Sequence, residues 1–159
     1  MLKQTDIRII AALRHNARET LTNLSKSIKV PISTLYDRLK SHEKSIITKH
    51  TTLLDFTKLG FNCRANIMLR TDRENREKLG SYLKAHPDIN NLYKINNGYD
   101  FLAEGIFTNV KELEDFLEDL EGKFELEEKK THYIIEDIKR EEFMSEDSMI
   151  KPCTDSRII

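Results

Sequence analysis

Between Ile32 and Lys44 the chain carries a run of side chains suited to a polyanion and to nucleic-acid base edges: Ser33, Thr34, Tyr36, Asp37, Arg38, Lys40, Ser41 and Lys44. Arg38, Lys40 and Lys44 can neutralise phosphates. Ser33 and Thr34, near a helix start, can donate to phosphate oxygens or touch base edges, and Tyr36 can pack on a thymine methyl group or a sugar. Asp37 is the discordant member. Its carboxylate could accept from cytosine N4–H2, yet phosphates would repel it. The simpler reading pairs it with Arg38 or Lys40 on the same helix. If Leu35 and Leu39 face a core, the rest of the set projects outward.

The charge distribution points the same way. Residues 1–50 hold ten Lys/Arg against four Asp/Glu, a balance of +6. Residues 51–159 hold sixteen against twenty-three, a balance of −7, so the net charge of −1 is a cancellation. A basic segment joined to an acidic one is the pattern of a nucleic-acid-binding part attached to something else. The other reading of the same segment is a three-helix scaffold for protein contact, since a fold alone never licenses DNA binding.

Other reactive residue types form no constellation. His15, His42, His50, His86 and His132 lack metal-ligand spacing, so no metal is expected. Cys63 opens an apolar alternation with no histidine at a motif spacing, which makes it a small core residue rather than a nucleophile. Cys63 and Cys153 are too few for a disulfide scaffold or a zinc site. The five glycines are scattered and form no phosphate-cradling loop, so no cofactor and no catalytic residue are expected. The nine acidic residues between Glu112 and Glu128 read as the solvated face of a helix.

Three short helices must position the first set. One starts near Thr5 or Asp6, either able to cap it, and carries Ile9, Ile10 and Leu13 on one face. The next runs from about Thr20 to Ile28 with Leu21, Leu24 and Ile28 inward. Pro31 stops it and disfavours helix at Val30. The third spans about Ile32–Lys44. Two helices, a short turn and a third helix in a basic segment make a helix-turn-helix. Such a unit of about fifty residues buries too little surface to stand comfortably alone and should depend on a partner.

After residue 45, Ile46-Ile47, Leu53-Leu54 and Phe56 suggest short extended pieces. Cys63–Leu69 alternates like a strand. Thr71-Asp72 can cap a helix burying Leu79, Tyr82 and Leu83, which ends before Pro87. Ile89–Ile95 and Tyr99–Phe107 flank Asn96-Asn97-Gly98, a turn tolerant of positive φ, and form a hairpin. Val110, Leu113, Phe116, Leu117 and Leu120 mark a helix, and Thr131–Ile138 a last strand. The order β-α-β-β-α-β is that of the split βαβ, ferredoxin-like arrangement.

The expected organisation is therefore an α+β chain: a helix-turn-helix, three-helix and winged-helix-like domain over 1–50, a linker strand over 51–60, a ferredoxin-like βαββαβ domain over 61–140, and a mobile tail over 141–159. The 159 residues suit one medium or two small domains, and 38% hydrophobic content supplies a core. No apolar run approaches the ~18 residues of a membrane span, and the first residues lack a signal-peptide pattern, so a soluble cytoplasmic protein without membrane partners is expected.

Several stretches carry a resemblance across both expected domains. LKQTDIRIIAALRHNAR resembles a start of the form L-D-x-x-D-x-x-I-L-x-x-L-x-x-x-x-R, with Asp6, Ile10, Leu13 and Arg18 in place. STLYDRLKSHE resembles S-T-V-x-x-R-I-x-x-L-E through Ser33, Thr34, Arg38 and Glu43, LLDFTKLGF resembles x-L-D-x-x-K-L-G-F, and INNGYDFL resembles x-T-G-x-Y-D-x-L-L. These are motifs of the Lrp/AsnC family of bacterial and archaeal transcription regulators, and the chain is similar to its archaeal type over about residues 2–140. Pro31 departs from the family's capping Ser, His42 from an apolar residue on the inner side, and Ser45 from a turn Gly.

The resemblance implies a DNA-binding transcription regulator assembled as a homodimer through the βαββαβ domain, and further into tetramers or octamers. Two recognition helices would then lie ~34 Å apart on double-stranded DNA. It also implies a small effector, commonly an amino acid, near the hairpin, with Gly98, Tyr99, Asp100 and Thr131 as the candidate positions. The local alternative is that Gly98 makes the turn and Asp100 satisfies a nearby backbone group. Some sirohaem-decarboxylating enzymes share the architecture. Their chemistry needs basic residues and His in the C-terminal cavity, whereas here that part is acidic. A ligand-sensing module whose helices contact protein is the third reading.

Overall fold

The computed structural model describes residues 2–146. It contains five α-helices and four strands among them, in the order α1 Gln4–His15, α2 Leu21–Ile28, α3 Ile32–Glu43, β1 Cys63–Thr71, α4 Arg76–Ala85, β2 Ile89–Lys94, β3 Phe101–Phe107, α5 Val110–Lys123 and β4 Leu126–Tyr133. The chain divides into two compact units. Among the described residues one comprises 2–52 together with 138–146, and the other is Leu53–Asp137. No helix among the described residues is long and apolar enough to cross a membrane.

In the N-terminal unit, Ile9 of α1, Leu24 and Ile28 of α2 and Leu35 of α3 form a small apolar core, flanked by Ala12, Leu13, Leu21 and Val30. Thr20 caps α2, its Oγ1 accepting from the Asn23 N–H at 3.2 Å. Lys29 ends that helix in the left-handed region at φ 57°. The Ser25 hydroxyl donates to the Val30 carbonyl at 2.6 Å, which fixes the turn into α3. Pro31 stands at the N-cap of α3 with no side-chain hydrogen bond. The other end of α3 is closed by the His42 carbonyl, which accepts from the N–H groups of Ser45, Ile46 and Ile47.

So small an apolar core is supplemented by one buried carboxylate. Asp6, 5% exposed, lies on α1 facing α3. Its Oδ1 accepts from Arg38 Nη1 at 2.5 Å and meets His42 Nε2 at 3.1 Å, while Oδ2 accepts from the Lys3 N–H at 2.7 Å. Asp6 is thus neither a free acid nor a conventional N-cap: from the third position of α1 it reaches back to the N–H of the capping residue Lys3, and it links α1 to two residues one turn apart on α3.

The C-terminal unit is a four-stranded antiparallel sheet in the order β2-β3-β1-β4, with α4 and α5 packed on one face. Alternate residues of β1 are buried: Cys63, Ala65, Ile67, Leu69 and Thr71. They meet Leu79 and Leu83 of α4 and Leu113, Phe116, Leu117 and Leu120 of α5. Asn109 caps α5 by accepting from the Glu112 N–H at 3.1 Å. A Cβ on Gly105 would lie 2.5 Å from the Phe107 ring, so β3 needs a residue without a side chain there.

Several expectations need correction. The linker strand over 51–60 is not formed: the sheet contains only the four strands above, and the segment holds a 3-10 turn at Thr57–Leu59 closed by Gly60 at φ 93°. A strand exists only through a ladder, and none runs along this segment. Thr71 and Asp72 do not cap α4. Thr71 ends β1, with its hydroxyl donating to the Glu125 carbonyl at 2.8 Å, and Asp72 accepts from the N–H groups of Glu74 and Asn75 in the turn before the helix. The last strand is Leu126–Tyr133 rather than Thr131–Ile138, because pairing with β1 sets it, and Ile135 and Ile138 are left exposed. Leu39 is half-buried rather than fully inward.

The tail expected to be mobile over 141–159 is, in its described part, held to the N-terminal unit. Arg14 Nε donates to the Phe143 carbonyl at 2.5 Å, and Arg14 Nη2 donates to the Glu141 carbonyl at 3.0 Å. Residues 147–159, Cys153 among them, lie outside the described residues.

The Asp6 contacts make stability pH-dependent. Burial raises its pKa, but the hydrogen bonds from Arg38, the Lys3 N–H and His42, with the Arg38 charge, outweigh burial and leave it below the ordinary carboxylate value. A depressed folded-state pKa stabilises above the unfolded-state value, and that contribution disappears as pH falls through the folded one. The Asp6 contribution should therefore be complete above about pH 5 and lost from about pH 4 downward. Asp6→Asn should lower the unfolding free energy near neutrality by about 2–3 kcal/mol, below the usual range for a broken buried pair because Arg38 stays partly solvated. Chemical denaturation at pH 7 and pH 3 checks this: the gap between wild type and variant should narrow at the lower pH.

Candidate nucleic-acid interface and hairpin site

Helix α3 presents most of the expected contact set to solvent. Counting 3.6 residues per turn, Leu35 and His42 form its buried seam, and Ser33, Asp37, Lys40 and Lys44 run along the opposite side. Those four residues and Tyr36 and Ser41 are exposed, whereas Thr34 is half-buried. Tyr36, 54% exposed, lies under the Lys40 ammonium, which stands 5.9 Å from its ring centroid. A flat apolar ring and a cation are thereby held side by side on one surface.

Arg38 does not belong to this surface. Its guanidinium turns inward to Asp6, which ties α3 to α1. The pairing expected for Asp37 fails with it. Arg38 is engaged elsewhere, Lys40 lies over Tyr36, and among the described residues the Asp37 carboxylate has no hydrogen bond or ion pair. The residues that sequence reasoning missed as determinants of this surface are Asp6 and His42. The available signal was a histidine on the inner side of a helix, which needs a polar partner when buried.

In the C-terminal unit the Ile95–Asp100 loop joins β2 to β3. Asn97 at φ 64° and Gly98 at φ 91° both lie in the left-handed region, as a tight reversal requires. Nothing lies within 4 Å of where a Gly98 Cβ would be, so backbone conformation alone selects glycine there. The Tyr99 hydroxyl donates to Glu128 Oε1 at 2.5 Å, and that hydrogen bond to a carboxylate raises the phenol's pKa. Asp100 accepts from the Thr71 N–H at 3.0 Å and pairs with Arg76 Nε at 2.6 Å, while its own N–H donates to the Leu69 carbonyl. It therefore satisfies local backbone, as the simpler reading of that residue has it.

Thr131 is not grouped with the other three. It pairs with Ile67, between Lys129 and Tyr133, which contact Glu121 and Glu114 of α5. That places it on the helix-covered face. Glu128, the partner of Tyr99, is paired with Arg70 on the open face. On the other side of the hairpin base, a groove of about 390 Å³ lies between α4 and β2, lined by Arg76, Glu77, Gly80, Lys84, Leu92 and Phe101 among others. Among the described residues no group of three or more His, Cys, Asp or Glu could hold a metal ion.

The geometry gives Asp100 a measurable structural weight. Asp100→Ala removes the acceptor from the N–H of Thr71, a residue 2% exposed, and should lower the unfolding free energy by about 2 kcal/mol. Asp100→Asn keeps an acceptor and should recover most of that loss in the same urea titration.

Comparison with known proteins agrees with this architecture. Residues 64–143 match the family model of the Lrp/AsnC ligand binding domain. The HTH-type transcriptional regulator FL11 of Pyrococcus furiosus is 29% identical over 126 residues, covering 79% of this chain and 83% of that one. The transcriptional regulator AzlB of Bacillus subtilis is 29% identical over 123 residues, covering 75% and 78%. Among solved structures, the transcriptional regulator NMB0573 of Neisseria meningitidis, in complex with L-Met, superposes with a TM-score of 0.82 at 22% identity, over 88% of this chain and 94% of that one. LrpC of B. subtilis gives a TM-score of 0.79 at 24% identity, over 87% and 98%. With its helical N-terminal region, its ferredoxin-like sheet and a family match over half its length, the chain belongs to the Lrp/AsnC family.

Proposed function

We propose that this chain is a sequence-specific, DNA-binding transcription regulator that works as a homodimer or larger assembly in the cytoplasm and responds to a small effector of the amino-acid class. The observation that carries the reading is the outer side of α3. It offers Ser33, Tyr36, Lys40, Ser41 and Lys44 to solvent from a segment of charge +6, and it is anchored from behind by Asp6. Lys40 and Lys44 supply phosphate neutralisation, and Ser33 and Thr34 lie where a recognition helix enters the major groove. The names of the relatives support regulation, and the L-Met in the Neisseria structure supports an effector of the amino-acid class, for which the motif resemblance suggests the hairpin around Gly98, Tyr99 and Asp100. An enzymatic role on the same architecture is disfavoured by the −7 balance of residues 51–159, where a polycarboxylate substrate would need cations.

Assembly is expected through the face of the sheet that bears no helix. By register it carries Met68, Leu102, Ile106 and Tyr93, with Arg64 pairing Glu104 across strands at 3.1 Å. Apolar side chains with one fixed ion pair among them form a surface suited to self-association.

Two measurements test the reading. Lys40→Ala should weaken binding to all duplex sequences and reduce the slope of log affinity against log salt by about 1. An unchanged slope would show that α3 does not face phosphate. Leu102→Arg should convert the assembly to monomer in sedimentation velocity while leaving the far-ultraviolet circular dichroism intact. A variant that keeps the wild-type mass would remove the sheet face as the interface.

A further inference from the structure

We propose that Asp37 is the specificity-determining residue of α3: its carboxylate accepts from the N4–H2 group of cytosine in a C·G pair at one position of each half-site. The proposal rests on the DNA-reading function above and adds to it the identity of one base.

Its first support is position. Ser33, Asp37, Lys40 and Lys44 follow the i, i+4, i+7, i+11 spacing of a single stripe, directly opposite the buried Leu35 and His42. Asp37 is in the middle of that stripe, with the serine on its N-terminal side and the two lysines on its C-terminal side. A residue at the centre of an inserted helix faces base edges, while cations toward the end of the helix reach the backbone.

The second support is that its charge is not neutralised within the fold. Arg38, next in sequence, is bound to Asp6 on the other side of the helix. Lys40, one turn on, lies over the Tyr36 ring. Among the described residues the Asp37 side chain makes no ion pair and no hydrogen bond. An unpaired carboxylate on the contact surface of a basic segment opposes every approach to phosphate, so it lowers affinity for DNA in general. Only a donor on the DNA offsets that effect, and donors on base edges differ from one pair to the next.

The third support is the donor pattern of the major groove. Guanine offers acceptors at N7 and O6, and thymine an acceptor at O4, all repulsive to a carboxylate. Adenine offers its N6–H2 donor beside the N7 acceptor, so one oxygen gains what the other loses. Cytosine N4–H2 has an acceptor, guanine O6, on one side only, whereas adenine N6–H2 lies between N7 and thymine O4. An acceptor-only side chain therefore ranks cytosine first, and phosphate repulsion penalises the same helix on any sequence lacking it.

The test is selection of bound fragments from a randomised duplex pool by the full-length chain, the Asp37→Asn variant and the Asp37→Ala variant, each first shown by thermal melting to be folded. The wild type should enrich sites with a cytosine at one symmetric position. Asp37→Ala should lose that preference, on the order of tenfold against the other bases, while its affinity for unrelated duplex rises. Asp37→Asn should shift the same position toward adenine, whose N6 and N7 an amide can engage together. If both variants retain the wild-type preference at every position, Asp37 does not read a base and the proposal falls while DNA binding stands. If the wild type enriches no duplex, the DNA-reading function itself fails, and the Asp37 assignment with it.

Discussion

A carboxylate with almost no access to water sits between α1 and α3, and the contact surface of α3 depends on it. Burying a charge is unfavourable unless it is paired and hydrogen-bonded, and Asp6 meets that condition with Arg38, His42 and the Lys3 N–H. The apolar core around it is small, drawn from single large residues on each helix, so the orientation of α3 cannot rest on hydrophobic contact alone. Hydrophobic contact is also non-directional. Two donors one turn apart on α3, converging on a single oxygen, fix the rotation of the helix about its own axis. That rotation decides which side chains face outward, so the exposed stripe from Ser33 to Lys44 is a consequence of the buried side.

His42 makes this arrangement particular to the chain. The position resembles one where the family carries an apolar residue, and an imidazole there would be unfavourable without a polar partner. Asp6 supplies one, and Arg38 keeps the carboxylate charged. Asp6 also draws Arg38 away from the surface and leaves Asp37 without its neighbouring cation, so a buried carboxylate shapes the electrostatics of the outer face.

The sequence made much of this legible where apolar spacing carried the signal. Leu21, Leu24 and Ile28, or Leu113, Phe116, Leu117 and Leu120, mark buried helix faces, and the alternation from Cys63 marks a central strand. Polar elements were harder to read. β4 begins Leu-Glu-Glu-Lys-Lys, because an edge strand with one open face needs few apolar residues, and periodicity moved it instead toward Tyr133-Ile134-Ile135. Of the α3 set, the outward residues followed from helix geometry. Arg38 did not, since its partner lies 32 positions earlier and a pairing over that distance leaves no local pattern. Thr131 was grouped with the hairpin by motif, whereas strand register puts it on the other face of the sheet from Glu128.

The grip of Arg14 on the Glu141 and Phe143 carbonyls has a consequence for how the chain assembles itself. It makes the N-terminal unit discontinuous, completed by a segment 127 positions later. In an unfolded chain that clasp would have to close a very long loop. Folding of the sheet shortens it: Ala65 near the start of β1 pairs with Tyr133 at the end of β4, and the Ile134 N–H donates to the Arg64 carbonyl at 2.8 Å. Entry to and exit from the sheet unit are thus neighbours, so the loop that the clasp closes is about half as long once the sheet has formed, a saving of about 0.6 kcal/mol. The clasp and the sheet are therefore thermodynamically coupled: the last piece of the helical unit closes at lower cost on a chain whose sheet has formed than on one whose sheet has not.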